Sequence, residues 1–174
     1  MRIIGVDPGS SVTGFGIIDQ HPAPSYVAAG AIRIADTMRG GVRLAEIYGR
    51  LLALIDQYAP TAMSLERSFV AVNIQSAFRL GEARAVAMLA AAHCDLALFE
   101  YSPTDVKLTV AGYGRADKAQ VSAMVRRTLG LEGGAALPHD ATDALALALC
   151  HVFRARFSGA VSTDSTRPNA RVRR

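Results

Sequence analysis

The chain opens with the apolar run Met1-Arg2-Ile3-Ile4-Gly5-Val6, which ends in Asp7 and is followed by the breaker pair Pro8-Gly9. Isoleucine and valine favour strands, and a proline–glycine pair ends them, so the run predicts a short strand whose last residue is an acid. A second short run, Thr61-Ala62-Met63-Ser64-Leu65, ends in Glu66 in the same way. Two strands that each end in a carboxylate are the first indication of a functional site.

Two further acids belong to the same pattern. Asp140 and Asp143 are spaced i, i+3 at the start of an apolar helical segment, so they share one face of the helix. These acids can meet Asp7 and Glu66 only through tertiary structure, and such a meeting is costly unless cations fill it, because like charges repel. Spacing alone leaves open that they are ordinary surface or capping acids.

All four acids offer carboxylate oxygens, and this indicates which metal they would bind and which reaction they would support. Carboxylates without a Cys-His pattern suit Mg²⁺, with Mn²⁺ as a substitute, and two such ions can promote phosphodiester cleavage. We predict that Asp7 bridges both ions. His139 points about 100° away from Asp140 on a helix, so we interpret Asp140 as the ligand and His139 as a supporting residue or a bystander.

The remaining pattern predicts an α/β fold. The expected order is β-β-β-α-β-α-β followed by helices, which gives a mixed five-stranded sheet, three antiparallel strands leading into parallel strands, with helices on both faces. An Asp117/Gln120 capping box should open one of the late helices. Strands are predicted at 2–7, 13–19, 26–34, 61–66 and 96–101, and helices at 40–58, 73–93, 104–110, 118–130 and 138–156.

Length and charge set the organisation. The 174 residues are 51% hydrophobic, which predicts one domain, residues 1–156, followed by a disordered tail at 157–174. The net charge of +4 is concentrated near the end, where six arginines from Arg154 onward face one acid, Asp164. Such a tail is typical of polyanion binding without base selectivity, although a merely solubilising end is the alternative. We expect no membrane span and no signal peptide, hence a cytoplasmic protein.

The same N-terminal stretch also fits a competing motif. The stretch from Asp7 to Gly14 fits D-x-G-x(4)-G, the phosphate hairpin of actin-like kinases and ATPases. Those enzymes close a second lobe over the nucleotide, and a chain of 174 residues is expected to leave no room for one.

Several short motifs occur in one order between Met1 and about His151. They are Ile4-Gly5-Val6-Asp7-Pro8-Gly9-Ser10, Thr13-Gly14-Phe15-Gly16, Leu65-Glu66 with Phe69, Asn73 through Ala87, Val106-Lys107, Gly112-Tyr113-Gly114, Lys118-Ala119-Gln120-Val121 and Asp140 through Ala146. In these motifs the chain resembles the RuvC-type Holliday-junction resolvases. The resemblance implies a ribonuclease H-like fold and a homodimeric endonuclease that nicks two strands of like polarity in a four-way DNA junction, leaving 5′-phosphate and 3′-hydroxyl ends. It also implies the RuvA/RuvB branch-migration machinery as a partner.

The same resemblance assigns roles to single residues. It places Asp7, Glu66, Asp140 and Asp143 at the family's catalytic metal-binding positions. It places three more residues at DNA-contacting positions: Phe69, Lys107 and Lys118. Arg67 departs from the family, where a neutral amide is expected, and we interpret it as an added contact to a DNA phosphate.

For the dimer, we predict an interface on the alanine-rich helix, with small residues at 83, 85, 87, 90 and 91; the alternative is that this face packs on its own sheet. Two rival functions remain open: a junction-binding protein without cleavage, and a ribonuclease H-type enzyme acting on RNA–DNA hybrids.

Overall fold

A mixed five-stranded sheet forms the centre of the molecule. The computed structural model describes residues 1–174 except 10, 36, 68–73, 135 and 165–174, and it describes residues 157–164 by their backbone alone. The strands are β1 (Arg2–Asp7), β2 (Val12–Asp19), β3 (Ser25–Arg33), β4 (Ala62–Glu66) and β5 (Ala97–Tyr101). Their order is β3-β2-β1-β4-β5, with antiparallel pairing of β1 to β2 and β2 to β3 and parallel pairing across β1, β4 and β5. The predicted sheet is confirmed.

Helices cover both faces of this sheet, as predicted. One apolar core lies between the sheet and α1 and α2, and the other lies between the sheet and α3, α4 and α5. The Asp117/Gln120 capping box opens α4, and a second box, Ser102 with Asp105, opens α3. The helices are α1 (Gly40–Tyr58), α2 (Ile74–His93), α3 (Pro103–Ala111), α4 (Lys118–Thr128) and α5 (His139–Asp164).

Helix α5 lies unusually close to β1 and β2 because glycines face it. A Cβ atom on Gly5 would stand 2.0 Å from the carbonyl oxygen of Ala144, and one on Gly14 would stand 2.0 Å from the carbonyl oxygen of Asp140. The buried Ser64 hydroxyl of β4 also donates a hydrogen bond to the Leu147 carbonyl at 2.7 Å. The first turns of α5 are therefore held directly against the strands.

The far end of α5 differs from the prediction. Its backbone is helical to Asp164, beyond the expected end near residue 156, because no proline occurs before Pro168 and a single glycine is only a modest penalty. Arg154 pairs with Asp105 at 2.8 Å, and Arg156 donates to the carbonyls of Gln20 and Pro22. These two arginines anchor the helix to the domain; residues 165–174 of the predicted tail lie outside the described part of the chain.

The predicted dimer face is wrong in its detail. The side of α2 that carries the small residues packs against the sheet and α1, so it is not available to a partner, and Ala85 alone among the five is exposed. The buried members are Ala83, Ala87, Ala90 and Ala91. Within the described residues, none of the helices combines the length and apolar character needed to cross a membrane.

Candidate active site

Four acids converge at the edge of the sheet where β1 and β4 end. Asp7 is the last residue of β1 and Glu66 the last of β4, and these strands run side by side in parallel with Val6 opposite Leu65. Asp140 and Asp143 reach the same edge from the first turns of α5, which the glycine at position 14 allows to approach. We call Asp7, Glu66, Asp140 and Asp143 the acid cluster.

The carboxyl group of Asp7 lies in an unusual electrostatic environment. Burial, followed in order by the negative charges of Glu66, Asp143 and Asp140, raises the pKa of the Asp7 carboxyl group to about 7, and the positive charge of Lys118 opposes this rise. A carboxylate in such surroundings is held at the boundary between its neutral and ionised forms at physiological pH. Cations would relieve the repulsion.

A cavity of about 270 Å³ opens in front of three of the four acids. Asp7, Glu66 and Asp143 line it together with Lys107 of α3 and Lys118 of α4. The Lys118 ammonium donates to Asp143 at 3.1 Å, and this contact raises the pKa of the lysine. The cavity therefore presents carboxylates and ammonium groups to the same space, a combination suited to a phosphodiester and its metal ions.

The residues fit a divalent cation in chemistry. They supply only hard oxygen donors, and the like charges of Glu66, Asp143 and Asp140 act together on the buried carboxyl group of Asp7. Their spacing is still open, since among the described residues no three His, Cys, Asp or Glu side chains are grouped closely enough to hold an ion as they stand. Cation binding would have to draw the carboxylates together.

The other predicted residues divide into three groups. Asp140 is half-buried and acts on Asp7 through its charge, but it does not line the cavity, while His139 beside it is exposed. Arg67 is exposed, and its backbone N–H donates to the Tyr101 carbonyl at 2.8 Å. Phe69 lies outside the described residues.

Arg84 of α2 is a residue that sequence reasoning missed. Its guanidinium donates to the backbone carbonyl of Glu66 at 3.3 Å and forms an ion pair with Glu100 of β5, whose neighbour in the ladder is Leu65. Arg84 therefore ties α2 to the end of β4. The signal that could have identified it is an arginine directly between two alanines, Ala83 and Ala85, in the alanine-rich part of α2.

Comparisons with known proteins agree with this architecture. The family model described as "Crossover junction endodeoxyribonuclease RuvC" matches residues 3–151. A relative of that name from Hydrogenovibrio crunogenus is 46% identical over 86% of each chain, and one from Syntrophotalea carbinolica is 47% identical over 87% of this chain and 93% of its own. The structure titled "T. thermophilus RuvC in complex with Holliday junction substrate" superposes with a TM-score of 0.84 at 29% identity, covering 91% of this chain and 96% of that chain.

The fold and these matches show the class of protein: the chain has a ribonuclease H-like fold and is an endodeoxyribonuclease. More particularly, it belongs to the RuvC family of crossover junction endodeoxyribonucleases.

Proposed function

We propose that the chain is a Holliday junction resolvase that works as a homodimer, nicking two strands of like polarity and leaving 5′-phosphate and 3′-hydroxyl ends. The observation that carries the proposal is the cavity in which Asp7, Glu66 and Asp143 face Lys107 and Lys118. The Holliday junction substrate bound to the T. thermophilus relative supports the choice of DNA. This arrangement disfavours a protein that binds junctions without cutting them.

We further propose that the acid cluster holds two Mg²⁺ ions per subunit, with Mn²⁺ as a substitute. When bound, such ions supply an activated water and stabilise charge on the attacking and leaving oxygens. The chain contributes the placement: Asp7 lies next to Glu66 on the neighbouring strand and within the electrostatic reach of both acids of α5, so it is best placed to serve both ions.

Lys107 and Lys118 neutralise the scissile phosphodiester in this scheme. Both line the cavity of the acid cluster, and Lys118 already pairs with Asp143, so its ammonium can exchange an intramolecular partner for a phosphate oxygen. Arg67 follows Glu66 directly in the chain and Phe69 comes two residues later, and we propose both as contacts to the DNA beside the scissile strand.

The dimer is supported by an exposed apolar stripe on the outer side of α2. Ile74, Phe78 and Leu89 are 77%, 70% and 59% exposed, and the small residues Gly81 and Ala85 lie between them at helical spacing. The described part of one chain holds one acid cluster, which can make one nick. Resolution requires two matched nicks, so a two-fold pair is the simple solution. The stripe is the face that we assign to the second copy.

The decisive experiment compares a synthetic four-way junction, a duplex of the same sequence and an RNA–DNA hybrid in Mg²⁺. Paired nicks in the junction, with ends that a ligase can seal, are the expected result. Preferential cutting of the hybrid would favour a ribonuclease H-type activity instead.

A mixing experiment tests the dimer. Wild-type chains combined with Asp7→Asn chains should form pairs that cut one strand and leave the junction unresolved. Phe78→Glu, which places a charge in the stripe, should shift the chain to a monomer in light scattering, while Arg50→Glu on α1 is a control on an exposed surface elsewhere. A monomer that still makes paired nicks would refute the scheme.

The wider setting follows the same proposal. We expect the enzyme to act in the cytoplasm on recombination intermediates delivered by the RuvA/RuvB branch-migration machinery. Co-migration of a junction-bound complex with those two proteins is the measurement that checks this partnership.

A further inference from the structure

A second cationic cavity lies on the other face of the sheet from Lys107 and Lys118. It has a volume of about 290 Å³ and is formed where α1 and α2 begin. Arg39 and Arg43 reach it from the start of α1 and Arg79 from the second turn of α2. We call the cavity bounded by these three side chains the arginine groove.

The arginine groove opens at the same edge of the sheet as the acid cluster. Ser11, in its wall, follows Asp7 by four residues in the turn between β1 and β2. The start of α1 follows β3, which ends at the same edge because Arg33 pairs with Val12. The ends of β1 and β4, with Asp7 and Glu66, therefore stand between the arginine groove on one side and the two lysines on the other.

Three cationic side chains, Arg39, Arg43 and Arg79, line the arginine groove together with the carboxylate of Glu82. Arg43 lies 3.9 Å from Glu82 and is nearly covered, whereas Arg39 and Arg79 are exposed. One Arg39 nitrogen donates to the Met38 carbonyl at 3.1 Å, and a guanidinium has five N–H donors in all. Among the described residues that line the groove, three side chains are positively charged and one is negatively charged, so the lining is cationic.

The backbone of α1 adds to this anion preference. Arg39 occupies the N-cap position without a side-chain capping hydrogen bond, and no acid lies in the first turn of the helix. Gly40 lines the groove, and the space where a Cβ would stand is open at both Gly40 and Gly41. Uncapped amide N–H groups at the start of a long helix bind phosphate well, especially beside arginines.

We propose that the arginine groove binds backbone phosphates of the junction strand that leads away from the scissile bond, so that the DNA crosses the sheet edge from arginines to lysines over the acid cluster. Its role depends on the proposed function. The groove shares Phe78 with the apolar stripe of α2. In a dimer the two grooves therefore flank the interface, and a four-way junction can engage both while a duplex engages one.

The test measures DNA binding by Arg39→Gln/Arg79→Gln in the Asp7→Asn background, where the DNA stays uncut. The junction Kd should rise roughly tenfold per arginine, as expected for the loss of one charge-assisted contact each. The slope of log affinity against log salt should fall by about two, and more on the junction than on the duplex.

A matched control removes the same charge elsewhere. Arg50→Gln/Arg127→Gln alters exposed arginines, one of them about 16 Å along α1 from Arg39, and should leave Kd and slope unchanged. Arg39→Lys/Arg79→Lys keeps the charge and should recover most of the affinity, which separates a phosphate contact from a defect in folding.

The opposite result is equally definite. A double glutamine variant that binds the junction with the Kd and salt slope of the control overturns the proposal, and an acidic segment of a partner protein then becomes the occupant to test. Paired nicking by the wild-type chain checks the proposed function separately, so a failure of the groove is not confused with a failure of the enzyme.

Discussion

Two acids on the α5 side of the molecule, Asp7 and Asp105, have pKa values shifted in opposite directions. At the start of the helix, burial and three like charges raise the pKa of Asp7 to about 7. Farther along, Asp105 accepts hydrogen bonds from Ser102 and pairs with Arg154, and these contacts hold its pKa below the ordinary value. The ionised form of Asp7 is destabilised by its surroundings, whereas the ionised form of Asp105 is stabilised by Ser102 and Arg154. The contrast separates an acid that needs a ligand from an acid that stabilises the fold.

The largest expected effect comes from removing the uncompensated acid. Asp7→Asn should lower the single-turnover nicking rate by at least about 10³-fold, because the variant loses a proposed metal ligand. Affinity for the junction should be kept or improved, because a negative charge near the phosphates is removed. A nicking rate within tenfold of wild type would show that Asp7 does not serve the metal ions.

The stability of the metal-free protein should fall as pH rises from about 4 to about 7. In this window the folded chain retains the proton on Asp7 that the unfolded chain has lost, so unfolding becomes more favourable with each pH step. The total is on the order of 2–4 kcal/mol. Denaturant titrations of wild type and Asp7→Asn across this range check it. Equal pH slopes in the two proteins would contradict the assignment, and Mg²⁺ should raise the wild-type Tm most at the upper end.

A substitution at Asp105 should affect stability more than nicking. Asp105→Asn weakens the capping box of α3 and the pair with Arg154, and it should lower the free energy of unfolding by about 1–2 kcal/mol. Nicking at saturating Mg²⁺ should remain within a few-fold of wild type, since Asp105 lies outside the cavity of the acid cluster. A loss of cutting comparable to that of Asp7→Asn would remove the distinction between the two acids.

The smallest effect is expected at Arg84, which donates a hydrogen bond to the backbone carbonyl of Glu66. Arg84→Ala should raise the Mg²⁺ concentration for half-maximal nicking by roughly tenfold, about the worth of one charge-assisted hydrogen bond. Arg84→Lys should restore part of the loss. Direct Mg²⁺ titration by calorimetry, without DNA, is the independent measurement; unchanged metal affinity would limit Arg84 to a role in stability.

The sequence predicted most of the sheet because each strand is a local pattern. An apolar run and its breaker, such as residues 2–9, fix a strand to within a residue, and the acids at the ends of β1 and β4 then fall at one edge once the strands pair in parallel. The buried side of α2 could not be chosen in advance, since its alanines fit either a sheet or a second helix. The arginine groove could not be predicted from the sequence because Arg39 and Arg79 are 40 positions apart and line one cavity only in the folded chain.

The glycine at position 14 shows that a catalytic requirement can fall on a residue with no functional group. It has no side chain, and the carbonyl of Asp140 occupies the space that any side chain there would need. The close approach of α5 to β2 is therefore possible only without a side chain at position 14. In a saturation library, position 14 should reject even alanine, and a reader who scores residues by their chemistry alone would overlook one of the positions on which the site depends.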